Sequence, residues 1–361
     1  MSALDSLKEL RSKIDAMDDQ LVALLNERSA IVLEIGKMKR SANAHFHTPA
    51  REQAIYNRLV ANNPGPFPNE ALKHVFREIM GGSLLLEKEI RVAYLGPEAT
   101  FTHQACLQRF SASVLTIPVN SIQEVFETVE RGRADFGIVP VENSIEGMVN
   151  HTLDLFVDSD LLIYGEVLQE VSHSLMSKTG KKEAISRIVS HPQAIAQCHR
   201  FLETNFKGVE IVDIASTAKA AQMVVTDSSS AAIASALAAR LYGLAIIDEK
   251  IEDYANNVTR FLVISKKPSE RTTRDKTSLL FSIKDKSGAL HDLLRPFAER
   301  GINLMKIESR PSKKKVWEYL FYIDIGGNQQ EEKISAALEQ IAKDAIFLKV
   351  LGSYPMAERA E

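Results

Sequence analysis

The sequence predicts a multidomain protein made of an all-α segment, a two-lobed α/β segment and a small mixed domain. Three observations predict this organisation. Residues 1–89 carry apolar residues at helical spacing and no strand pattern, residues 90–267 alternate short apolar strands with helices, and residues 276–355 follow the order β-α-β-β-α-β. The 361 residues suffice for two or three domains, and an apolar content of 45% suffices for their cores.

Composition excludes several classes of protein. The net charge of −3 gives no electrostatic basis for binding nucleic acid, and no apolar run approaches the roughly 18 residues that span a bilayer. The N-terminal stretch MSALDSLKELRSK has acidic residues and no apolar core, so it is not a signal peptide. Two cysteines, Cys106 and Cys198, are typical of a reducing compartment. We therefore expect a cytoplasmic protein without nucleic-acid or membrane partners.

The first segment reads as three helices, at about 4–39, 48–62 and 69–87. Thr48 followed by proline predicts the N-cap of the second helix, and Asn69 predicts that of the third. The first helix is long for a globular protein, and its apolar residues recur at spacings of three and four. These residues are Leu7, Leu10, Ile14, Met17, Leu21, Leu24, Ile31, Val32, Ile35 and Met38.

Cations interrupt the apolar stripe of the first helix. At about 100° per residue, with Leu7 at zero, the apolar residues occupy roughly 220–360°. Arg28 and Lys39 fall inside this arc, and Arg11 lies at its edge. An unpaired buried cation is destabilising by several kcal/mol. Each could instead extend to solvent or pair with a nearby glutamate, but Glu27 and Glu34 lie off the stripe. The pattern favours a multiply charged anionic ligand, and the poorly covered helix favours dimerisation.

The other two helices add polar pairs. Arg51 and Glu52 are adjacent at the start of the second helix, and Ser83 and Glu87 lie one turn apart on the third. Periodicity alone favours an ordinary exposed helix end for Ser83 and Glu87.

Together these residues resemble the small all-helical chorismate mutases. The resemblance rests on the order and spacing of Arg11, Arg28, Lys39, Arg51, Glu52, Ser83 and Glu87. It implies an intertwined dimer in which Arg11 reaches the active site of the second protomer, and a rearrangement of chorismate to prephenate that needs no cofactor.

The same resemblance implies a role for each residue. Arg11, Arg28 and Arg51 would hold the substrate carboxylates. Lys39 and Glu87 would flank the ether oxygen, with Glu87 protonated so that it can donate a hydrogen bond. Glu52 and Ser83 would complete the substrate-binding set.

The middle segment contains short apolar runs bounded by turn and capping residues. The predicted strands are RVAYLG, SVLTIPV, FGIVPV, RIVSHP, VEIVDIAS, AAIAS and TRFLVIS. Their alternation with helices predicts a mostly parallel sheet, and residues 162–177 are long enough to carry the crossover between two lobes. VPVENS (139–144) places polar side chains at a strand end. A turn explains this stretch, and so does a ligand site at the edge of an α/β sheet.

Six motifs in order resemble the prephenate dehydratases. They are YLGPEATFTH, VPVENS, SHPQAIAQC, STAKAA, AAIAS and NNVTRF. Each stands at a strand exit or helix start, where N–H groups can converge on an anion. The resemblance implies a two-lobed fold like that of periplasmic binding proteins, and conversion of prephenate to phenylpyruvate with loss of carbon dioxide and the ring hydroxyl. This chain differs from the family at one position of the first motif, because Ala99 stands where the family usually has glycine.

The dehydratase resemblance also implies the site residues. The catalytic set is Thr259, Glu142, Asn143, Gln197 and Ser190, and the substrate-binding set is Thr100 and Arg260. Thr259 either donates a proton to the leaving hydroxyl or positions it. Glu142 could be the donor only if burial raises its pKa. Arg260 either binds a carboxylate or forms an ion pair within the sheet.

The last segment has the ferredoxin-like order of small regulatory domains. SGALHDLL, GINL and ESRP resemble the motifs of ACT domains, which bind amino acids at a dimer interface. The resemblance implies an allosteric phenylalanine site. Its residues would be Gly288, Ala289, Leu290, Asn303, Leu304, Glu308, Ser309, Arg310 and Pro311. A ferredoxin-like domain without a ligand is the alternative.

The sequence thus suggests a bifunctional chorismate mutase and prephenate dehydratase, inhibited by phenylalanine, that needs no cofactor and forms a homodimer or homotetramer. One alternative is a monofunctional prephenate dehydratase whose helical domain only dimerises or senses a ligand. Another is a non-catalytic solute-binding protein, which the Thr-Arg-Phe motif and the attached sensor domain argue against.

Overall fold

The computed structural model describes residues 3–41, 49–111, 113–283, 286–311 and 319–357. The chain divides into two compact units. The helical unit comprises the described residues up to Ile90 together with Phe110–Leu115, and the second unit comprises Arg91–Arg109 and the residues from Thr116 onward. None of the helices in the described ranges is both long and apolar enough to cross a membrane.

The helical unit is built from α1 (Ala3–Ser41), α2 (Pro49–Ala61) and α3 (Asn69–Glu87). These are the three helices that the apolar periodicity predicts. Thr48 lies outside the described residues. The prediction that Asn69 caps α3 is wrong, because Pro68 occupies the cap position and Asn69 is the first helical residue. Its Oδ1 accepts a hydrogen bond from Nδ2 of Asn63 at 2.7 Å.

The apolar stripe of α1 is largely exposed within a single chain. Leu24, for example, keeps 60% of its surface exposed, and Met17 keeps 62%. A stripe this long cannot be covered by α2 and α3, which are both much shorter than α1. The apolar face of α1 is therefore available to another molecule.

The second unit alternates strands and helices. Its strands are β1 (Arg91–Leu95), β2 (Leu115–Val119), β3 (Phe136–Asn143), β4 (Gly147–Met148), β5 (Leu162–Glu170), β6 (Ser174–Ser177), β7 (Arg187–Ser190), β8 (Glu210–Asp213), β9 (Ser230–Ala234), β10 (Ala245–Asp248), β11 (Val258–Ser265), β12 (Asp275–Ser282), β13 (Leu304–Pro311), β14 (Tyr319–Gly326) and β15 (Phe347–Pro355). Its helices are α4 (Phe101–Phe110), α5 (Ile122–Glu130), α6 (Asn150–Asp158), α7 (Pro192–Gln197), α8 (His199–Asn205), α9 (Thr217–Val224), α10 (Ala236–Tyr242), α11 (Ala289–Glu299) and α12 (Glu332–Asp344).

Two sheets form the two lobes. The first lobe has the strand order β2-β1-β3-β11-β5, with β4 paired to β3, and the second lobe has the order β10-β6-β9-β7-β8. The prediction of a mostly parallel sheet is wrong. β1 and β3 are parallel, as are β7 with β8 and β9, but β11 is antiparallel to both of its neighbours and β6 is antiparallel to β9 and β10. β5 and β6 flank the first passage of the chain between the lobes, and β10 and β11 flank the second. Because the chain crosses to the second lobe and then returns, β11 lies antiparallel to β5, and β10 lies antiparallel to β6.

The chain passes between the lobes twice, at residues 171–173 and 249–257. The first crossover lies within the stretch predicted to carry it. The two crossovers run side by side, since the N–H of Val171 donates to the carbonyl of Asn257 at 2.8 Å and that of Ile251 donates to the carbonyl of His173 at 3.0 Å. Backbone hydrogen bonds therefore tie the two passages together.

The C-terminal domain has the predicted βαββαβ order and a sheet with the strand order β13-β14-β12-β15. One face of this sheet packs on α11 and α12. From the other face, Leu280, Tyr322, Leu351 and Tyr354 join the apolar core of the first lobe. At Gly352, a Cβ atom would lie 2.4 Å from the carbonyl oxygen of Ile163 on β5. The two backbones meet closely there.

Replacing Gly352 with alanine is expected to destabilise the second unit by roughly 1–3 kcal/mol, because the added carbon must displace a strand backbone. The measurement is the thermal or urea unfolding midpoint. Gly165→Ala on β5 is the matched control, since its Cβ would meet only Val263 at ordinary contact distances of 3.9–4.0 Å. Equal midpoints for the two variants would contradict the close backbone approach.

Candidate functional site

In the helical unit, α1 and α3 bring two cations to a hydroxyl and a carboxylate. Nζ of Lys39 lies 2.9 Å from Oε2 of Glu87. The guanidinium of Arg28 donates a hydrogen bond to the hydroxyl of Ser83. Ser83 and Glu87 are each only 7% exposed, so the interpretation of an ordinary exposed helix end is wrong. The structure groups four of the seven residues on which the mutase resemblance depends.

Close helix packing makes this grouping possible. A Cβ atom at Gly36 on α1 would come within 3.1 Å of the Glu87 side chain, so α3 approaches α1 closely at this point. Arg40, which the sequence reasoning missed, donates to the carbonyl of Glu87 at 3.0 Å. A cation at the last carbonyls of a helix is favourable because the helix dipole is negative there.

The other three residues of the mutase resemblance lie apart from these contacts. Arg11 is on α1, and Arg51 and Glu52 are on α2. Arg11 is exposed on α1, seventeen residues before Arg28, which is about 25 Å along one helix at 1.5 Å per residue. Within one chain these two cations cannot bind the same small molecule. Arg51 is exposed and Glu52 half-buried in the first turn of α2.

The second unit contains a cleft of about 1010 Å³ lined by both lobes. Asn143 at the end of β3 and Thr259 at the start of β11 are register partners and line it from the first lobe. Gln197 at the end of α7 lines it from the second lobe. Three of the predicted catalytic residues are thus brought together, although they are far apart in sequence.

Hydrogen bonds orient the first-lobe pair. Oδ1 of Asn143 accepts from the backbone N–H groups of Ile145 at 2.9 Å and Glu146 at 3.0 Å. Its Nδ2 must therefore be the atom that donates to Oγ1 of Thr259 at 2.8 Å. Because Oγ1 accepts this bond, the hydroxyl hydrogen of Thr259 can be donated to a ligand in the cleft. VPVENS is both a turn and a wall of the cleft.

Glu146 is a further cleft residue that the sequence reasoning missed. Its Oε1 accepts from Nε2 of Gln197 at 3.2 Å, and it lines the cleft beside Asn143. The nearby Glu142, predicted as catalytic, is not among the residues that line the cleft. Successive strand residues face opposite sides, and the Glu142 carboxylate instead lies 2.5 Å from Nζ of Lys306 in the C-terminal domain.

Arg260, predicted to bind substrate, also points away from the cleft. It forms ion pairs with Glu166 and Asp324, both at 2.7 Å, and donates to the hydroxyl of Tyr354 at 3.0 Å. Lys276 adds a second cation 2.9 Å from Glu166. Burial alone would lower the pKa of Arg260, but the surrounding oxygen groups outweigh it and raise that pKa above its ordinary value. Of the two roles left open for Arg260, the structure shows the ion pair.

Ser190 is likewise not among the residues that line the cleft. It is fully buried, and its hydroxyl donates to the carbonyl of Ile233 at 2.6 Å. This bond connects β7 to the neighbouring β9 and uses the hydroxyl hydrogen. The structure therefore gives Ser190 a supporting position in place of the predicted catalytic one.

Two helix N-termini face the cleft. Thr100 precedes α4 and accepts from the N–H of His103, and Ser216 caps α9 by accepting from the N–H of Lys219. The positive ends of both helix dipoles and the Lys219 ammonium suit an anionic ligand. The sequence reasoning missed Lys219, although it stands inside the STAKAA motif.

The loop before α4 has an unusual conformation. Ala99 has a φ of 68°, a left-handed conformation that explains why glycine is favoured at this position. Its N–H donates to Nδ1 of His103 at 3.0 Å, and burial lowers the pKa of that histidine. The neutral ring of His103, in the first turn of α4, thus holds this loop in place.

In the C-terminal domain, the predicted allosteric residues lie at the start of α11 and along β13. Gly288 has a φ of 78° and precedes α11, whose first residue, Ala289, is buried. Leu290 and Leu304 pack against the same apolar cluster, and the carbonyl of Asn303 accepts from Gly326. β13, an edge strand, carries Glu308, Ser309, Arg310 and Pro311.

A second residue of this strand, besides Lys306, forms an ion pair with the first lobe. Arg310 lies 3.2 Å from the carboxylate of Asp154 on α6. Among all described residues, no group of three or more His, Cys, Asp or Glu side chains is arranged to hold a metal ion.

Sequence profiles of three families match the chain. The profile for chorismate mutase type II matches residues 10–88, that for prephenate dehydratase matches residues 92–269, and that for the ACT domain matches residues 277–343. Together they account for most of the chain in three consecutive segments.

Known proteins match over greater lengths. The bifunctional chorismate mutase/prephenate dehydratase of Aquifex aeolicus is 47% identical over 358 residues, which cover 98% of this chain and 99% of that protein. The prephenate dehydratase of Arthrobacter aurescens, solved in complex with L-Phe, is 34% identical, with a TM-score of 0.68 over 74% of this chain and 90% of its own. A structure described as a novel type of quorum-quenching acylase is 30% identical, with a TM-score of 0.67 over 74% of this chain and 98% of its own.

Replacing Arg260 with methionine is expected to destabilise the second unit by about 3–5 kcal/mol, because Asp324 loses its cation while still buried. Urea unfolding measures the effect. Arg271→Met is the control, since Arg271 is about half exposed and lies 3.8 Å from Glu331, and such a surface pair contributes at most about 1 kcal/mol. A loss for Arg260→Met no larger than that of the control would show that the buried network does not hold the unit together.

Proposed function

Because the chain belongs to the family of bifunctional chorismate mutase/prephenate dehydratases, we propose that it rearranges chorismate to prephenate in the helical unit and converts prephenate to phenylpyruvate in the cleft. We take residues 1–89, 90–267 and 276–355 as the mutase, dehydratase and regulatory domains. The observation that carries the proposal furthest is the oriented Asn143–Thr259 pair, which directs a hydroxyl donor into an anion-compatible cleft. Both cysteines are buried free thiols, which suits the proposed cytoplasmic location.

The mutase reaction is a rearrangement within one molecule, so it requires orientation and charge stabilisation and no nucleophile. Arg28 beside Ser83 would hold a carboxylate of chorismate. Lys39, paired with Glu87, would stabilise the negative charge that develops on the ether oxygen. Both cations are held by α3, which limits their motion before substrate binds.

We further propose that α1 pairs with α1 of a second copy, as a homodimer or as part of a homotetramer. The exposed apolar stripe supports this proposal, and so does the position of Arg11 about 25 Å from Arg28. In such a dimer, Arg11 of one protomer would complete the site built around Arg28 of the other.

In the dehydratase reaction, the bond from the ring to a carboxylate breaks, and its electron pair enters the ring as the hydroxyl leaves from the opposite carbon. Carbon dioxide is released and the ring becomes aromatic, while the departing hydroxide takes a proton from solvent and becomes water. The two carboxylates of prephenate would be bound by the helix N-termini and Lys219. Thr259 would donate a hydrogen bond to the departing hydroxyl, which is the step that needs help.

The C-terminal domain would bind L-phenylalanine and inhibit the dehydratase. The N-terminus of α11 at Gly288 and Ala289 suits a carboxylate. From β13, Lys306 reaches Glu142, which is adjacent to Asn143, and Arg310 reaches Asp154. A ligand that shifts β13 would therefore act on the first lobe next to its catalytic strand end.

The fold alone does not select the reaction. The structure described as an acylase matches this chain about as well as the Arthrobacter aurescens dehydratase does. The assignment therefore depends on full-length likeness to bifunctional enzymes and on the side chains in the cleft. The main alternative is a dehydratase whose helical unit only dimerises.

The purified protein is expected to consume chorismate and release phenylpyruvate, with less phenylpyruvate formed when L-phenylalanine is added. Thr259→Ala is expected to lower the dehydratase kcat by at least about 100-fold, because the leaving hydroxyl loses its donor. Thr259→Ser, which keeps a hydroxyl, should retain more activity. A circular-dichroism spectrum and urea unfolding midpoint like those of the wild type are the folding control for the second unit. Full dehydratase activity in Thr259→Ala would contradict the proposed role.

Arg28→Met is expected to lower kcat/KM for chorismate by at least about 100-fold, because a half-buried charge partner of the substrate is removed. Lys37→Met is the matched control. It removes the same charge from α1, but from the side opposite the apolar stripe, at about 120°. A protein that converts added prephenate but leaves chorismate unchanged would support the dimerising alternative.

Mixing tests the proposed dimer. Arg11→Met and Arg28→Met should each abolish most mutase activity alone. After unfolding and refolding together, the mixed dimers would contain one intact site of two, so about a quarter of the wild-type mutase activity should return. No recovery, with mixed dimers detected by mass spectrometry, would contradict a site shared between protomers.

A further inference from the structure

Two buried side chains on the crossovers contact Gln197. His173 lies between β5 and β6, and Asn257 lies just before β11. They are 2% and 1% exposed. Oε1 of Gln197 accepts from Nε2 of His173 at 3.0 Å and from Nδ2 of Asn257 at 2.9 Å. Neither residue belongs to the predicted site, although Asn257 stands inside the NNVTRF motif.

These contacts continue the chain of hydrogen bonds that orients Thr259. Asn143 donates through Nδ2 to Oδ1 of Asn257 at 2.7 Å. Since each side-chain amide has one acceptor end and one donor end, Asn257 must then donate to Gln197. The backbone N–H groups that set Asn143 therefore set the direction of the whole chain.

The direction of this chain also assigns the state of His173. Gln197 presents its oxygen, so Nε2 of His173 carries the hydrogen and donates. Burial lowers the pKa of His173, which keeps the ring neutral with Nδ1 unprotonated. Within the described residues, Nδ1 is buried and has no hydrogen-bond partner.

The result is a fixed amide at the cleft wall. With its oxygen held by His173 and Asn257, Gln197 directs Nε2 towards Glu146 at 3.2 Å and towards the cleft. The opposite orientation would place the amide oxygen against the carboxylate of Glu146 and against an anionic ligand. Electrostatic repulsion would then oppose substrate binding.

We propose that His173 and Asn257 are positioning residues for the dehydratase reaction, which hold the amide of Gln197 so that its N–H2 group faces the carboxylate-bearing substrate. This inference rests on the proposed function of the cleft. The two residues act at the point where the chain passes between the lobes. They therefore connect Gln197 of the second lobe to Asn143 and Thr259 of the first.

The first experiment measures dehydratase kcat and KM for prephenate in His173→Leu and His173→Gln. Loss of the donor in His173→Leu is expected to lower kcat/KM roughly tenfold to a hundredfold. His173→Gln should restore most of it, because the glutamine nitrogen can take the place of Nε2. His199→Leu makes the same change at an exposed histidine on α8 and should have no effect. A loss that glutamine does not restore would overturn the proposed donor role.

Asn257→Asp is the second variant, and it keeps the size and shape of the side chain. Aspartate can still accept from Asn143 but cannot donate to Gln197, so the Gln197 amide is expected to rotate. We expect kcat/KM for prephenate to fall at least tenfold, roughly the effect of one lost buried hydrogen bond. A circular-dichroism spectrum identical to that of the wild type reports that the second unit is folded. Wild-type dehydratase kinetics in Asn257→Asp would overturn the inference.

A double-mutant cycle with Gln197→Ala separates positioning from a general structural role. If His173 acts through Gln197, His173→Leu should add no further loss in the Gln197→Ala background. Two losses that multiply in the double variant would overturn the inference while the proposed function stands. A wild-type protein that leaves prephenate unchanged would instead overturn the proposed function, and the inference with it.

Discussion

The buried ion-pair network around Arg260 is the interaction on which the rest of the second unit depends. It joins β11 to Glu166 on β5 and to Asp324 on β14, so one guanidinium links the first lobe to the C-terminal domain. Buried charges are tolerated only when every partner is present. The network is therefore compatible with one register of β11 against its neighbouring strands. That register sets Thr259, the preceding residue, opposite Asn143 on the cleft side of the sheet.

The two proposed sites would meet the charge of a dicarboxylate by different physical means. In the helical unit, backbone N–H groups within a helix are already bonded, so the charge of the ligand must be met by side chains such as Arg28 and Lys39. In the cleft, helices and strands end around one space. Unbonded N–H groups at the starts of α4 and α9 can therefore replace most of the cations, with Lys219 as the charged exception.

The C-terminal domain is not an independent attachment, because its sheet contributes to the apolar core of the first lobe and meets β5 at Gly352. Alternation along the strands explains the coupling. Asn143 and Thr259 face the cleft, whereas their neighbours Glu142 and Arg260 face the C-terminal domain. The cleft and the C-terminal domain therefore contact adjacent residues of β3 and β11.

The sequence by itself determined the three segments, the helix ends to within a few residues, and the cations in the stripe of α1, because periodicity and capping are local properties. It also indicated Asn143, Gln197 and Thr259 through the dehydratase resemblance. Only the tertiary structure decided that Glu142 and Arg260 leave the cleft, and that His173 and Asn257 bond to Gln197 at its wall. Alternation shows that neighbouring strand residues face opposite sides, but which side is the cleft depends on where distant parts of the chain pack.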